Sequence, residues 1–105
     1  MNIRLAITST DGVTVNKQFE IADTFFIYEV VDNNKVFIEK RNIERYSATT
    51  NNVRFKRNRF KTIYESLKDC TTLITNSIEL ETMEKIKEYG INIKTDTGYI
   101  ASLAL

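Results

Sequence analysis

Two stretches near the start of the chain carry strand patterns. Ile3-Arg4-Leu5-Ala6-Ile7 is apolar at alternate positions with Ala6 between them, the pattern of a strand covered on both faces. Phe25 to Val31 is a run of aromatic and β-branched residues suited to a central strand. Between them Asp11-Gly12 signals a turn. A chain of 105 residues that commits its first third in this way has room for one domain, residues 1–105, whose core is built on a sheet.

The rest of the sequence extends that sheet. Asp32-Asn33-Asn34 suits a tight turn, and a third strand follows from Lys35 to Lys40. There Val36 and Ile38 alternate with Lys35, Phe37 and Glu39, as in a strand with one wetter face. Arg41 to Val53 lacks periodicity and reads as a loop. Helical spacing begins near Phe55 and continues through Phe60, Ile63, Tyr64 and Leu67. Cys70 to Thr75 reads as a short strand. Asn76-Ser77 is a plausible helix N-cap, with Glu79 and Glu81 in the first turn. Met83, Ile86 and Tyr89 supply that helix with an apolar face, and Gly90 suits its C-cap. Ile91-Asn92-Ile93 makes a last short strand, and Tyr99 to Leu105 a small apolar helix.

A hairpin-linked meander followed by two α/β units implies an α/β fold with a mixed five-stranded sheet and flanking helices. The strand order 3-2-1-4-5 satisfies the connections. The third or fifth strand then leaves an edge open to pairing between subunits. The chain reverses its direction across the sheet between the first and fourth strands, and such switch points bind ligands beyond the carboxyl ends of the strands. Those ends carry Thr8-Ser9-Thr10 and Thr75-Asn76-Ser77.

The available chemistry is narrow. The sequence has no histidine and a single cysteine, Cys70. A His/Cys zinc site, a Ser-His-Asp system and a Cys-His pair are therefore excluded within one chain. Cys70 precedes the fourth strand, at the amino end of the sheet, and suits a buried structural role. Asp11, Asp69 and Asp96 stand at turns or strand boundaries, where local backbone hydrogen bonds favour Asp. The first strand offers no carboxylate to a two-metal nuclease site. No apolar run approaches the roughly 20 residues of a membrane span, and Met1-Asn2-Ile3-Arg4 enters a strand at once, so a cytoplasmic protein without a signal peptide is expected.

Charge is uneven. Lys40 to Lys61 holds eight basic residues and one acid, Glu44, while the remainder holds seven bases and thirteen acids. A basic segment on an acidic body can attract an anionic partner, and Arg54, Lys56, Arg57, Arg59 and Lys61 are its densest part. The acidic remainder argues against nucleic acid, whose phosphates it repels.

Several blocks together resemble a known family. They are Ala6-Ile7-Thr8-Ser9-Thr10-Asp11-Gly12, then Gln18-Phe19-Glu20, then Phe25-Phe26-Ile27-Tyr28-Glu29-Val30. Arg59-Phe60, Leu67-Lys68-Asp69-Cys70, Leu73-Ile74 and Lys87-Glu88-Tyr89-Gly90-Ile91 follow in order. This set resembles the dinitrogenase iron-molybdenum cofactor biosynthesis domain of the NifX type. The resemblance implies a ribonuclease H-like fold. It also implies a non-catalytic carrier or chaperone for an iron-sulfur or iron-molybdenum cluster, or its precursor, working with metal-cluster assembly or nitrogenase proteins. Ser9, Thr10, Gln18, Asn76, Ser77 and Arg57 would then be the cofactor-binding residues, with no metal ligand among them. The chain departs from the family at its His-Phe-Gly motif, where Gln18 and Glu20 replace the histidine and glycine. It departs again at an Ile-Gly that matches Ile78-Glu79. Those departures leave a second expectation, a divergent member without metal ligands that acts as a protein-interaction or regulatory module.

Overall fold

The structure is a computed structural model that describes residues 3–43 and 57–103, without the side chains of residues 57–60. Five strands form one sheet: β1 (Ile3–Thr8), β2 (Thr24–Val31), β3 (Asn34–Asn42), β4 (Thr72–Thr75) and β5 (Asn92–Thr95). Two helices, α1 (Arg57–Leu67) and α2 (Leu80–Glu88), complete the regular elements. The order across the sheet is β3-β2-β1-β4-β5, as the connections require. β1 pairs antiparallel with β2 and parallel with β4, so it occupies the centre.

The central strand is buried on both faces. Ala6 joins the larger core with Phe25, Ile27, Ile63, Leu73 and Ile86, beneath the two helices. Leu5 and Ile7 join a smaller core with Val15, Ile74, Ile100 and Leu103 on the opposite face. The β2–β3 hairpin closes through Asp32 and Asn33, with φ of 52° and 66°. Both lie in the left-handed region that Asp and Asn tolerate, the geometry of a tight hairpin turn.

Several local expectations change, among them the last strand, which spans Asn92–Thr95 rather than Ile91 to Ile93. β3 runs to Asn42, so Arg41 and Asn42 belong to the strand rather than to the loop; residues 44–56 of that loop lie outside the described residues. The fourth strand begins at Thr72 rather than Cys70. β3 also has no dry face. Val36, Phe37 and Ile38 are all exposed, because the register slips at Ile38 and the strand stands at the sheet edge. Finally, the C-terminal segment makes only a three-residue 3-10 turn, Ile100–Ser102. Too short to nucleate a helix, it is fixed by pairing: Ile100 N–H donates to the Val13 carbonyl at 2.8 Å. Ala104 and Leu105 lie outside the described residues.

Asp69 is not a local turn residue. Its carboxylate takes two hydrogen bonds from Arg41 on β3, both 2.8 Å, and one from Arg4 on β1 at 2.8 Å. Arg4 also reaches Glu29 on β2 at 2.9 Å, and Arg41 donates to the Ser66 carbonyl at 2.7 Å. The network thereby ties the end of α1 to three strands. The Arg41 guanidinium, helped by Arg4, holds the Asp69 carboxyl well below the usual carboxylate range. A lowered native value means that this stabilisation is complete above the unfolded value near ~4 and is lost as pH falls below it. Asp69 is two-fifths exposed, so solvent screening reduces the effect. Asp69→Asn is expected to cost about 1–2 kcal/mol at neutral pH and to flatten the fall in stability between about pH 5 and pH 3. Urea midpoints at both ends of that range check it; a variant with the parent's pH slope would sink the assignment.

Candidate functional site

The switch-point crevice lies where β1 and β4 end side by side. Thr8, Ser9 and Thr75 at those ends are completely buried, because the chain itself covers them. Segment 17–19 runs parallel to 75–77 and continues the sheet locally: Asn76 N–H donates to the Lys17 carbonyl at 3.2 Å, and Phe19 N–H to the Ser77 carbonyl at 3.0 Å. The Thr8 hydroxyl donates to the Lys17 carbonyl at 2.7 Å. The Thr75 hydroxyl sits 3.0 Å from the same carbonyl and 3.0 Å from the Thr8 oxygen. Phe19 anchors the segment in the larger core, edge-on to Phe25 at 6.1 Å between ring centres.

Glu20 follows in the short 3-10 turn Phe19–Ile21, with none of its surface exposed. Its carboxylate is held from two sides. Gln18 Nε2 donates to one oxygen at 3.0 Å, and the Glu79 backbone N–H donates to the other at 3.1 Å. Glu79 is the N-cap of α2 and makes no side-chain cap of its own. Glu20 therefore supplies from a distant loop the acceptor that the helix start lacks, at the end where the helix dipole favours negative charge.

The expected site residues fall into two groups. Gln18, Asn76 and Ser77 are brought together at this crevice: Gln18 bridges to Ser77, and the Ser77 hydroxyl donates to Asn76 Oδ1 at 3.1 Å. Asn76-Ser77 does not cap α2, which begins only at Leu80; tertiary pairing with segment 17–19 sets this backbone instead. Ser9 and Thr10 serve the adjoining turn. Ser9 Oγ accepts from Gly12 N–H at 2.9 Å, while Asn16 binds both the backbone and the hydroxyl of Thr10. Asp11 Oδ1 accepts from the N–H groups of Val13 and Thr14 at 2.9 and 3.0 Å, and these bonds lower its pKa. Asp96 likewise bonds Gly98 N–H, the local role expected of both. Arg57 opens α1, but its side chain is outside the described residues.

Sequence reasoning missed Glu20 as the crevice's occupant. The available signal was the paired departure from the resemblance, with Glu20 and Glu79 each standing where it implies a glycine.

Among the described residues the donor set does not suit direct ligation of a metal cluster. Among the described residues no three His, Cys, Asp or Glu side chains are grouped to hold a metal ion. Cys70 is buried at the opposite end of the sheet, where burial, reinforced by Asp69, pushes its thiol up to about 12. A thiol so poised is not a thiolate at neutral pH. Among the described residues no helix is long and apolar enough to cross a membrane.

Comparison with known proteins gives a consistent result. The pattern of the dinitrogenase iron-molybdenum cofactor family matches residues 1–103. A solved structure from Methanocaldococcus jannaschii, named as a candidate dinitrogenase, is 19% identical with a TM-score of 0.60, covering 94% of this chain and 80% of that one. The solved protein PH0822 is 18% identical with a TM-score of 0.68, covering 94% and 84%. A Thermotoga protein named as a candidate NifB protein is 19% identical with a TM-score of 0.59, covering 93% and 80%. These three likenesses speak for the fold. None of the curated proteins compared with the chain matches it. The family match spans nearly the whole sequence, and the chain belongs to the dinitrogenase iron-molybdenum cofactor family.

Proposed function

We propose that this member of the dinitrogenase iron-molybdenum cofactor family is a non-catalytic accessory protein of metal-cluster cofactor assembly, acting through protein contacts rather than by ligating the cluster. Family membership over residues 1–103 supports the process. The observation that supports the manner is Glu20, whose buried carboxyl group takes the backbone N–H at the start of α2. An anionic cluster approaching that helix end would find the Glu79 backbone N–H already taken by the chain's own carboxyl group. The site residues Gln18, Asn76 and Ser77 then hold the chain's own carboxylate and backbone.

Anaerobic reconstitution with ferrous iron and sulfide tests this. The expected protein leaves desalting without visible charge-transfer absorption and without bound iron. Stoichiometric iron with a cluster spectrum would overturn the reading.

The carrier reading keeps one specific support, the basic stretch from Lys40 to Lys61. In that case the cluster or its precursor is cargo attracted by charge, with Thr10 and Arg57 as polar contacts; Ser9, buried beneath the turn, is not one of them. Binding of isolated cofactor would then be weakened by salt and by Arg57→Glu, as for any screened attraction. Binding indifferent to both would sink the carrier reading.

A further inference from the structure

Two segments cover the face of the sheet opposite the helices. They are laced together by Val15 N–H, which donates to the Gly98 carbonyl at 3.0 Å, and by Ile100 N–H, which donates to the Val13 carbonyl at 2.8 Å. Val15, Ile100 and Leu103 then bury themselves in the smaller core. The β2–β3 hairpin stands beside this cover and is tied to it by Lys35, whose ammonium donates to the Leu103 carbonyl at 3.0 Å. Between hairpin and cover lies a cleft of about 700 Å³, within the roughly 300–1,000 Å³ of small-molecule sites. Val13 and Tyr99, 53% and 61% exposed, give it apolar surface, and so does the half-buried Tyr28. The Tyr28 ring is held edge-on to Phe37 at 5.5 Å between centres. Among the described residues its hydroxyl has no hydrogen-bond partner, and burial raises its pKa, so it stands as a neutral donor.

We propose that this cleft binds a small aromatic carboxylate, its ring against Tyr28 and Tyr99 and its acid group on Lys35. Charge selects the acid. No acidic side chain is among the described lining residues, and the Lys35 ammonium is the one charge there. Lys35 is half-buried and gives one N–H to Leu103, which leaves donors free for an anion. Spacing selects the length. Tyr28 pairs with Phe37 and Val30 with Lys35, so Tyr28 and Lys35 share one face of the hairpin as diagonal neighbours, about 7–8 Å apart. A two-ring acid such as 2-naphthoate spans that distance, with its rings on the aromatic side chains.

Titration of the whole chain with 2-naphthoate, followed by amide NMR shifts, tests this. The shifts are expected to saturate with a Kd of about 1 mM or tighter and to centre on Val13, Tyr28, Lys35 and Tyr99. 2-Naphthylmethanol, which has the rings without the charge, should bind about fivefold more weakly. Lys35→Met should weaken 2-naphthoate by the same factor and leave the alcohol unchanged. Lys35→Arg keeps the cation and should keep the affinity, which separates charge from the tether to Leu103. Tyr28→Phe should cost the acid about threefold, the loss of one hydrogen bond. Shifts that do not saturate by about 10 mM, or that centre elsewhere, would overturn the proposal. So would equal binding of acid and alcohol, which marks apolar adhesion only, or a folded Lys35→Met variant that binds the acid as the parent does. If Lys35→Met does not fold, the acid–alcohol ratio and the Lys35→Arg variant still decide the matter.

Discussion

Glu20→Ala is expected to lower the stability of this protein by about 3 kcal/mol, a large share of what a domain of this size possesses. The carboxylate is fully buried, and its removal strands two donors, Gln18 Nε2 and the Glu79 backbone N–H. A buried donor deprived of its acceptor carries its full desolvation cost, and a side-chain void is added to it. Glu20→Gln should cost only about 1 kcal/mol, because the amide oxygen can still accept from Glu79 and Gln18 can turn its own amide to match. Urea denaturation of both variants checks the pair. An alanine variant within about 0.5 kcal/mol of the parent would show that the carboxylate does not hold the loop to α2. The accessory reading would then lose its main support.

The sheet was legible because its signals are dense and mutually consistent. Leu5, Ala6 and Ile7 mark a strand dry on both faces, which only a central position provides. Asp32-Asn33 can occupy the left-handed region at two successive residues, so the second and third strands had to be neighbours. Once those were placed, the remaining strands had to fall on the other side of the first. The site was less legible, because the partners that matter are far apart along the chain. Glu20 meets Glu79, and Asp69 meets Arg4 and Arg41. No local pattern encodes such pairs. Asn76-Ser77 has the composition of a helix cap, yet pairing with residues 17–19 holds it extended. Propensity is a weak prior that a tertiary ladder overrides. The same competition undid the expected C-terminal helix, whose backbone bonds to Val13 instead.

Gly12 shows how one legible turn carries a cost that sequence does not reveal, and the expected result is a large one. Asp11-Gly12 reads as an ordinary turn, and Gly12 indeed has φ +72°. A side chain there would be strained by its backbone alone, by roughly 1 kcal/mol for alanine. It would also collide: a Cβ at Gly12 would lie 2.6 Å from Cε2 of Phe26 and 3.0 Å from its Cζ. Moving the Phe26 ring aside would disturb its packing on Phe37. Gly90, at φ +89°, faces open space with nothing near its would-be Cβ. The two glycines thus separate strain from collision. Gly90→Ala should cost about 1 kcal/mol, and Gly12→Ala about 2–3 kcal/mol. Gly12→Val, β-branched in a left-handed conformation, should exceed both at about 4 kcal/mol, lowering the melting temperature by roughly 20 °C. Thermal unfolding of the three variants decides it. Equal losses at Gly12→Ala and Gly90→Ala would mean that the Phe26 ring yields freely. A ring that yields would leave the turn carrying Ser9 and Thr10 loosely seated on the sheet. The excess at Gly12 therefore measures how rigidly the rim of the crevice is held.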